Sequence, residues 1–320
     1  MSLAQILAGN GDSGAQSPPD YLLNAPVEVR NRVQALKGLH LDTIDVQVEF
    51  YKRVHELEVE FRSKYEKINE KRAQIVNGTV EPTEEEVKRE PLLTYLDEEA
   101  TKKFEESAPV TGGEKVKGIP SFWLNVLKNV PQIDELISED DEAVLQYLKD
   151  IKAGMTSNPD GFTVTFYFDE NPYFTNTELK KEYTLSIGPN KFEQKVLYDG
   201  PSVVKTTQCK IDWKEGKNVT QKVLKKKQKK GPNAGRVTVK TVEQPSFFNL
   251  FNPAHTEISE DLPDDEAELL NADFEIGQLI RDTIVDNAVL YYTGEITDED
   301  DGFDYDAEDF EDDEDEEEEE

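Results

Sequence analysis

Residues that could do chemistry are few in this sequence, and none stands in a catalytic spacing. Three histidines, His40, His55 and His255, and one cysteine, Cys209, are the candidate soft-metal ligands and nucleophiles. A zinc site needs such residues in closely spaced pairs, and these four form none. His55 lies beside an apolar stripe and reads as a packed or interfacial side chain. Gly9-Asn10-Gly11-Asp12-Ser13-Gly14 has the glycine spacing of a dinucleotide loop. It neither follows a strand nor opens a helix, and that junction is what cradles the phosphates. Gly302 and Glu308 fit two positions of a calcium loop, but Thr297 and Glu299 stand where Asp or Asn is wanted. The expectation is no metal, no cofactor, no catalytic residue and no enzyme.

Carboxylate is what the chain has in abundance. Its net charge is −33 over 320 residues. Residues 298–320 hold 18 acids and no Lys or Arg, leaving 51 acids against 36 bases elsewhere. Such a body repels nucleic-acid phosphates and attracts polycations, so the expected partner is a basic protein and not a specific DNA or RNA sequence. Eighteen like charges cannot fold alone. They read as a mobile polyanion competing with DNA for basic proteins, or as a solubilising tail. Two acidic pairs sit at helical spacing, Glu135 with Glu139 and Asp264 with Glu268. Each shares a helix face if the helix is continuous, and the repulsion then needs either a cationic partner or a helix N-terminus to offset it.

The opposite charge is concentrated in one place. Residues 205–240 carry 12 bases and two acids. Lys225, Lys226, Lys227, Lys229 and Lys230 read as a nuclear import signal, a contact for DNA or an acidic surface, or a solvated hairpin tip. Leu36, Leu39, Leu41 and Ile44 have the spacing of a nuclear export signal and equally of a buried helix face.

The elements that must position these groups follow from periodicity. Residues 1–24 are small, polar and Gly-rich and read as disordered. A helical region follows over 25–78, which Gly38 can divide and Asn77-Gly78 ends. Within it Ile44, Val48, Tyr51, Val54, Leu57, Phe61, Tyr65 and Ile68 recur in steps of three and four, with Val46 and Phe50 widening the stripe. A helix this long pairs with its own copy in a dimer, or lies across its own domain. Residues 79–295 read as a second region. Thr83 with Glu86 opens a helical stretch to about Ser107 that Pro91 interrupts, Phe122 begins a short apolar helix, and Ser138 caps another running to about Lys152. Strands are expected at 162–168, 182–187, 208–213 and 236–242, the last two forming a basic hairpin over 205–242. A closing helical stretch spans about 263–292, and 296–320 is an acidic tail. Helices, then strands, then helices define an α+β class with an antiparallel sheet. No apolar run is long enough to span a membrane. The single cysteine allows no internal disulfide, and no secretory leader is visible.

Several segments together resemble the nucleosome assembly protein family of histone chaperones. They are GIPSFWLNVLKNV from Gly118, GFTVTFYFDENPYFTNTELKKEY from Gly161, IDWKEGKNVT from Ile211, PSFFNLFNP from Pro245 and DFEIGQLIRDTIVDNAVLYYTGE from Asp273. The resemblance implies a long antiparallel dimerisation helix and an α/β domain with an acidic concave underside. It implies core histones as partners, especially the paired histones flanking the central tetramer, and shuttling between nucleus and cytoplasm with transport receptors. On this resemblance the histone-binding candidates are Glu135, Glu139, Asp264 and Glu268, with Asp140, Asp141 and Asp265 as neighbours. A SET-type scaffold or phosphatase inhibitor on the same fold is the alternative.

Overall fold

A computed structural model describes residues 18–94, 98–107, 116–189, 195–227, 237–259 and 262–296. After a helical turn, α1 (Asp20–Leu23), helix α2 runs without interruption over Val27–Val76. Gly38 does not divide it, because no side chain lies near that position and the helix passes through on backbone hydrogen bonds alone. The Thr83 capping box opens only one turn, α3 (Glu84–Val87), with α4 (Glu98–Glu106) beyond it. Pro91 between them has no N–H to continue a helix.

The domain that follows holds three short helices, α5 (Phe122–Lys128), α6 (Pro131–Asp134) and α7 (Glu139–Leu145). Four antiparallel strands come next in the order β1 (Leu148–Ser157), β2 (Asp160–Phe168), β3 (Glu178–Ser186) and β4 (Ser202–Thr206). A separate two-stranded ribbon pairs β5 (Gln221–Lys227) with β6 (Val237–Glu243). The chain then forms a 3₁₀ turn at Phe247–Phe251, helix α8 (Asp264–Leu279), a π-helical turn at Ile280–Ile284 and α9 (Ala288–Thr293). The α+β class holds.

Four expectations are corrected here. The helix from Ser138 ends at Leu145, and Leu148 to Lys152 belong to β1. A register shift between Leu148 and Asp150 puts an extra residue in the strand, and Asp150 is buried, so polar and apolar residues do not alternate there. Residues 208–213 form no strand, only a bridge from Trp213 to Phe174. The basic ribbon instead pairs Gln221 with Glu243 and Lys227 with Val237, so Lys225, Lys226 and Lys227 lie within a strand rather than at a tip. Lys229 and Lys230 fall outside the described residues, as do the tail from residue 297 and residues 1–17 of the start expected to be disordered over 1–24; the remainder of that start instead holds the helical turn Asp20–Leu23.

The core is aromatic. Phe162, Val164, Phe166 and Phe168 alternate along β2 and point to one face, where Phe247 and Phe251 meet Phe166 edge-on. Helix α2 covers β1, an edge of the sheet, and in doing so answers edge carbonyls that would otherwise be open to another strand. His55 Nε2 donates to the Thr156 carbonyl at 2.7 Å and Arg62 Nε to the Ala153 carbonyl at 2.7 Å. Further along, Arg72 lies over the Trp123 ring and donates to the Val285 carbonyl just past the π-turn, while Asn69 and Arg62 both reach Asp286.

This packing splits the apolar stripe of α2 in two. Ile44 is fully buried by its own chain, and Val48 and Tyr51 are half-buried against Gly188 and Gly200. Ile44 is therefore withdrawn from the dimerisation candidates and from the export candidates. Val54 is half-buried, whereas Leu57, Phe61, Tyr65 and Ile68 stay exposed. Val46, Phe50, Leu36 and Leu39 are exposed as well, and Leu41 is at the margin.

Candidate functional site

A groove of about 1080 Å³ opens between α8, the 3₁₀ turn and the segment from Gln208 to Gln221. Its floor is apolar: Phe247, Phe248 and Trp213 come from the aromatic core. Its rim carries Glu243, Asp265 and Glu266. The first turns of α8 line it through Asp265, Glu266 and Leu269, and Leu136 lines it from the link between α6 and α7.

Why the acidic residues gather here follows from local structure. Pro263 caps α8 and places Asp264, Asp265 and Glu266 in its first turn, where the free N–H groups and helix dipole favour negative charge. Ser138 caps α7 through a side-chain capping box with Asp141, and Glu139, Asp140, Asp141 and Glu142 fill its first turn. Asp141 then ties the two regions together. Its carboxylate accepts from Ser138 N at 2.9 Å, Ser246 Oγ at 2.6 Å and Phe247 N at 2.9 Å. Asp140 accepts from Gln244 at 3.5 Å. So the start of α7 is bound to the turn that floors the groove.

The seven predicted histone contacts separate on this geometry. Asp265 lines the groove, and Asp140 and Glu139 are exposed beside it. Glu135 is exposed next to groove-lining Leu136 but is not on one helix face with Glu139. Helix α6 ends at Asp134 and α7 begins at Glu139, so the four-residue spacing crosses a break. Glu268 is exposed on α8 without lining the groove, and the side chain of Asp264 lies outside the description. Asp141 is a correction: it is completely enclosed and its oxygens are engaged, so it offers no carboxylate to a partner. Glu243 and Glu266 were missed by sequence reasoning. The recurrence of Asp265, Leu269, Ala272, Asp273 and Ile276 on α8 marked the groove-facing side, but the search for acids four apart passed over it.

Among the described residues, Glu135, Glu139, Asp265 and Glu268 form no ion pair with Lys, Arg or His, and neither does Glu243. Glu266 pairs with His255 at 2.5 Å across one end of the groove. Lys181 of β3 and Asp273 of α8, the latter part of the groove lining, form a buried ion pair. Burial pushes the Asp273 carboxyl up and the Lys181 ammonium down, each partly offset by the other's charge. Among the described residues no cluster of His, Cys, Asp and Glu has the arrangement of a metal site. Cys209 lines the groove as a free thiol.

The long helix, the four-stranded antiparallel sheet and the flanking helices are the fold of nucleosome-assembly-type histone chaperones. Among solved structures, nucleosome assembly protein 1 of Plasmodium knowlesi matches with a TM-score of 0.51 at 23% identity, over 85% of this chain and 100% of that one. That likeness establishes the fold. In sequence, the family described as "Nucleosome assembly protein (NAP)" matches residues 31–295. Nucleosome assembly protein 1-like 1-A of Xenopus laevis is 43% identical over 316 residues, spanning 96% of this chain and 80% of its own. Nucleosome assembly protein 1-like 1 of Homo sapiens is 41% identical over 315 residues, spanning 94% and 79%. The chain belongs to the nucleosome assembly protein family.

Proposed function

We propose that the protein is a dimeric, non-enzymatic chaperone that holds core histones on the acid-rimmed groove and lowers their free concentration. Well-formed histone–DNA contacts then win over indiscriminate ones. The observation that carries this reading is a set of carboxylates with no cationic partner among the described residues: Glu243 and Asp265 line the concavity, and Glu135, Glu139 and Glu268 are exposed on the elements that border it. Surface carboxylates without a cationic neighbour repel one another, and a Lys- and Arg-rich protein relieves that repulsion. The acidic tail over residues 298–320, with 18 acids and no Lys or Arg, adds a second polyanion. The paired histones that flank the central tetramer are the preferred cargo.

The second half of the reading is self-association through α2. From Leu36 to Ile68 its outward face leaves Leu39, Val46, Phe50, Leu57, Phe61 and Tyr65 exposed as well. An apolar face of this length on a helix is what antiparallel pairing with a second copy covers. Lys225, Lys226 and Lys227 on β5, with Lys229 and Lys230, serve as the nuclear import signal read by a transport receptor. The export signal does not survive in its full form, since Ile44 cannot be presented without unpacking α2.

Binding of core histones across a salt series tests the reading, with the full chain beside a chain ending at Gly294. Tight, salt-sensitive binding by both supports the folded groove as the main site. Loss of binding with the tail makes the protein a simple polyanion, and no binding by either overturns the chaperone reading. A cross-linker on Cys209, the chain's one thiol, reports directly whether the bound histone occupies the groove.

A further inference from the structure

We infer that Leu269 and Leu136 seat an apolar side chain of the bound cationic protein, so that the groove selects a folded basic surface over bare positive charge. This rests on the histone reading and specifies how the same site chooses its cargo.

Leu269 is 70% exposed on the second turn of α8, and Leu136 is 38% exposed between α6 and α7. Single exposed leucines are ordinary and mean nothing by themselves. These two differ because both line one concavity, from separate elements of the fold, together with the aromatic side chains of Phe248 and Trp213. A concave apolar centre inside a polar rim is the anatomy of a protein-binding site, where the centre excludes water and the rim orients the partner.

Charge decides what sits there. Glu243 and Asp265 on the rim have no cationic partner among the described residues, and the chain as a whole carries −33. An acidic peptide or an anionic membrane surface meets the like charge of Glu243 and Asp265, while Lys210 and His255 of the lining are already paired with Asp212 and Glu266. The occupant that fits both rim and centre is a structured basic protein with an aliphatic or aromatic side chain standing between lysines and arginines. An extended polycation such as polylysine satisfies the rim only, and its binding is screened away by salt. The apolar contact is not screened, so it accounts for whatever affinity persists at high ionic strength.

The test uses the full-length protein carrying Leu269→Gln, with Leu136→Gln as a second variant. Val289→Gln is the control, since Val289 is exposed on α9 and does not line the groove. Both leucines are surface residues, so circular dichroism and thermal melts should match the parent. Affinity is measured for core histones and for polylysine, each at low and high salt. We expect about a tenfold loss of histone affinity for L269Q. The slope of log affinity against log salt should stay unchanged, as should polylysine binding, and V289Q should behave as the parent. Unchanged histone affinity in both leucine variants overturns the inference while leaving the chaperone reading intact. An equal loss for polylysine also overturns it, because the leucines would then act through the acidic rim. A parent protein that binds no histone removes both readings together.

Discussion

Lys181 and Asp273 face each other inside the protein as a nearly fully buried ion pair, joining the middle of the sheet to the helix that walls the groove. Lys181 also donates to the Leu250 carbonyl at 2.7 Å, so one ammonium holds β3, α8 and the 3₁₀ turn in register. Tyr183 lies against the same spot, and Gly277 is glycine because a Cβ there would come within 2.4 Å of the Tyr183 ring. Removing one member of a buried pair strands the other charge. Lys181→Met should therefore cost about 3–5 kcal/mol of stability. The double variant K181M/D273L should recover most of it, as read by chemical denaturation. A double variant no more stable than K181M would mean that the ammonium's other contacts, not the pairing, carry the cost.

Asp150 predicts a pH dependence. Burial pushes its carboxyl up to about 6, against the opposing pull of Arg72. In the unfolded chain an aspartate titrates near 3.9. A folded value raised above the unfolded one means the site's contribution is fully present at low pH and is lost as pH rises through about 6. Asp150→Asn should thus stabilise the protein at pH 7.5 by roughly 1–3 kcal/mol and change it little near pH 4. Comparing the two proteins at each pH cancels the general charge repulsion of so acidic a chain. An equal difference at both pH values would contradict the assignment.

Asp141 is a structural carboxylate beside Glu139 and Asp140, the two proposed to meet the histone. Asp141→Ala should lower stability by about 2–4 kcal/mol, through the lost cap of α7 and the orphaned donors of Ser246 and Phe247. Glu139→Gln with Asp140→Asn should leave the melting temperature nearly unchanged and weaken histone binding instead. The reverse assignment of effects would sink the division made here.

The outward face of α2 predicts its own disruption. Phe50→Glu with Ile68→Glu changes side chains that are 58% and 68% exposed in the single chain, so the domain should still fold. Sedimentation should show a dimer for the parent and a monomer for the variant. A monomeric parent would refute the pairing.

Much of this architecture was legible in sequence. The amphipathic period of α2, the alternation in β2 and the capping boxes at Thr83 and Ser138 all gave their elements correctly in kind. What stayed hidden was hidden for physical reasons. Strand β1 carries a bulge and a buried aspartate, so its pattern matched neither period. The stripe on α2 looked like one surface because steps of three and four fit two adjacent faces equally well. Only the contacts of Val48, Tyr51, His55 and Arg62 show which face is taken by the domain. In the site, the abundance of acids was plain, but their partners were not. Nothing in the run Glu139-Asp140-Asp141 distinguishes the carboxylate that is swallowed by Ser246 and Phe247 from the two that remain in water.

Because α2 serves its own domain along one side and presents the other side outward over the same length, the two sides are locked in phase. Each residue added to a helix turns everything beyond it by about 100°. A single-residue insertion midway along α2 would leave the contacts before it intact and swing either Arg62 and Arg72 off their carbonyls or the outward face off its line. The helix can therefore lengthen or shorten in descent only by steps that return nearly to the same angle, and its fifty residues are constrained as a screw thread is, by pitch rather than by composition.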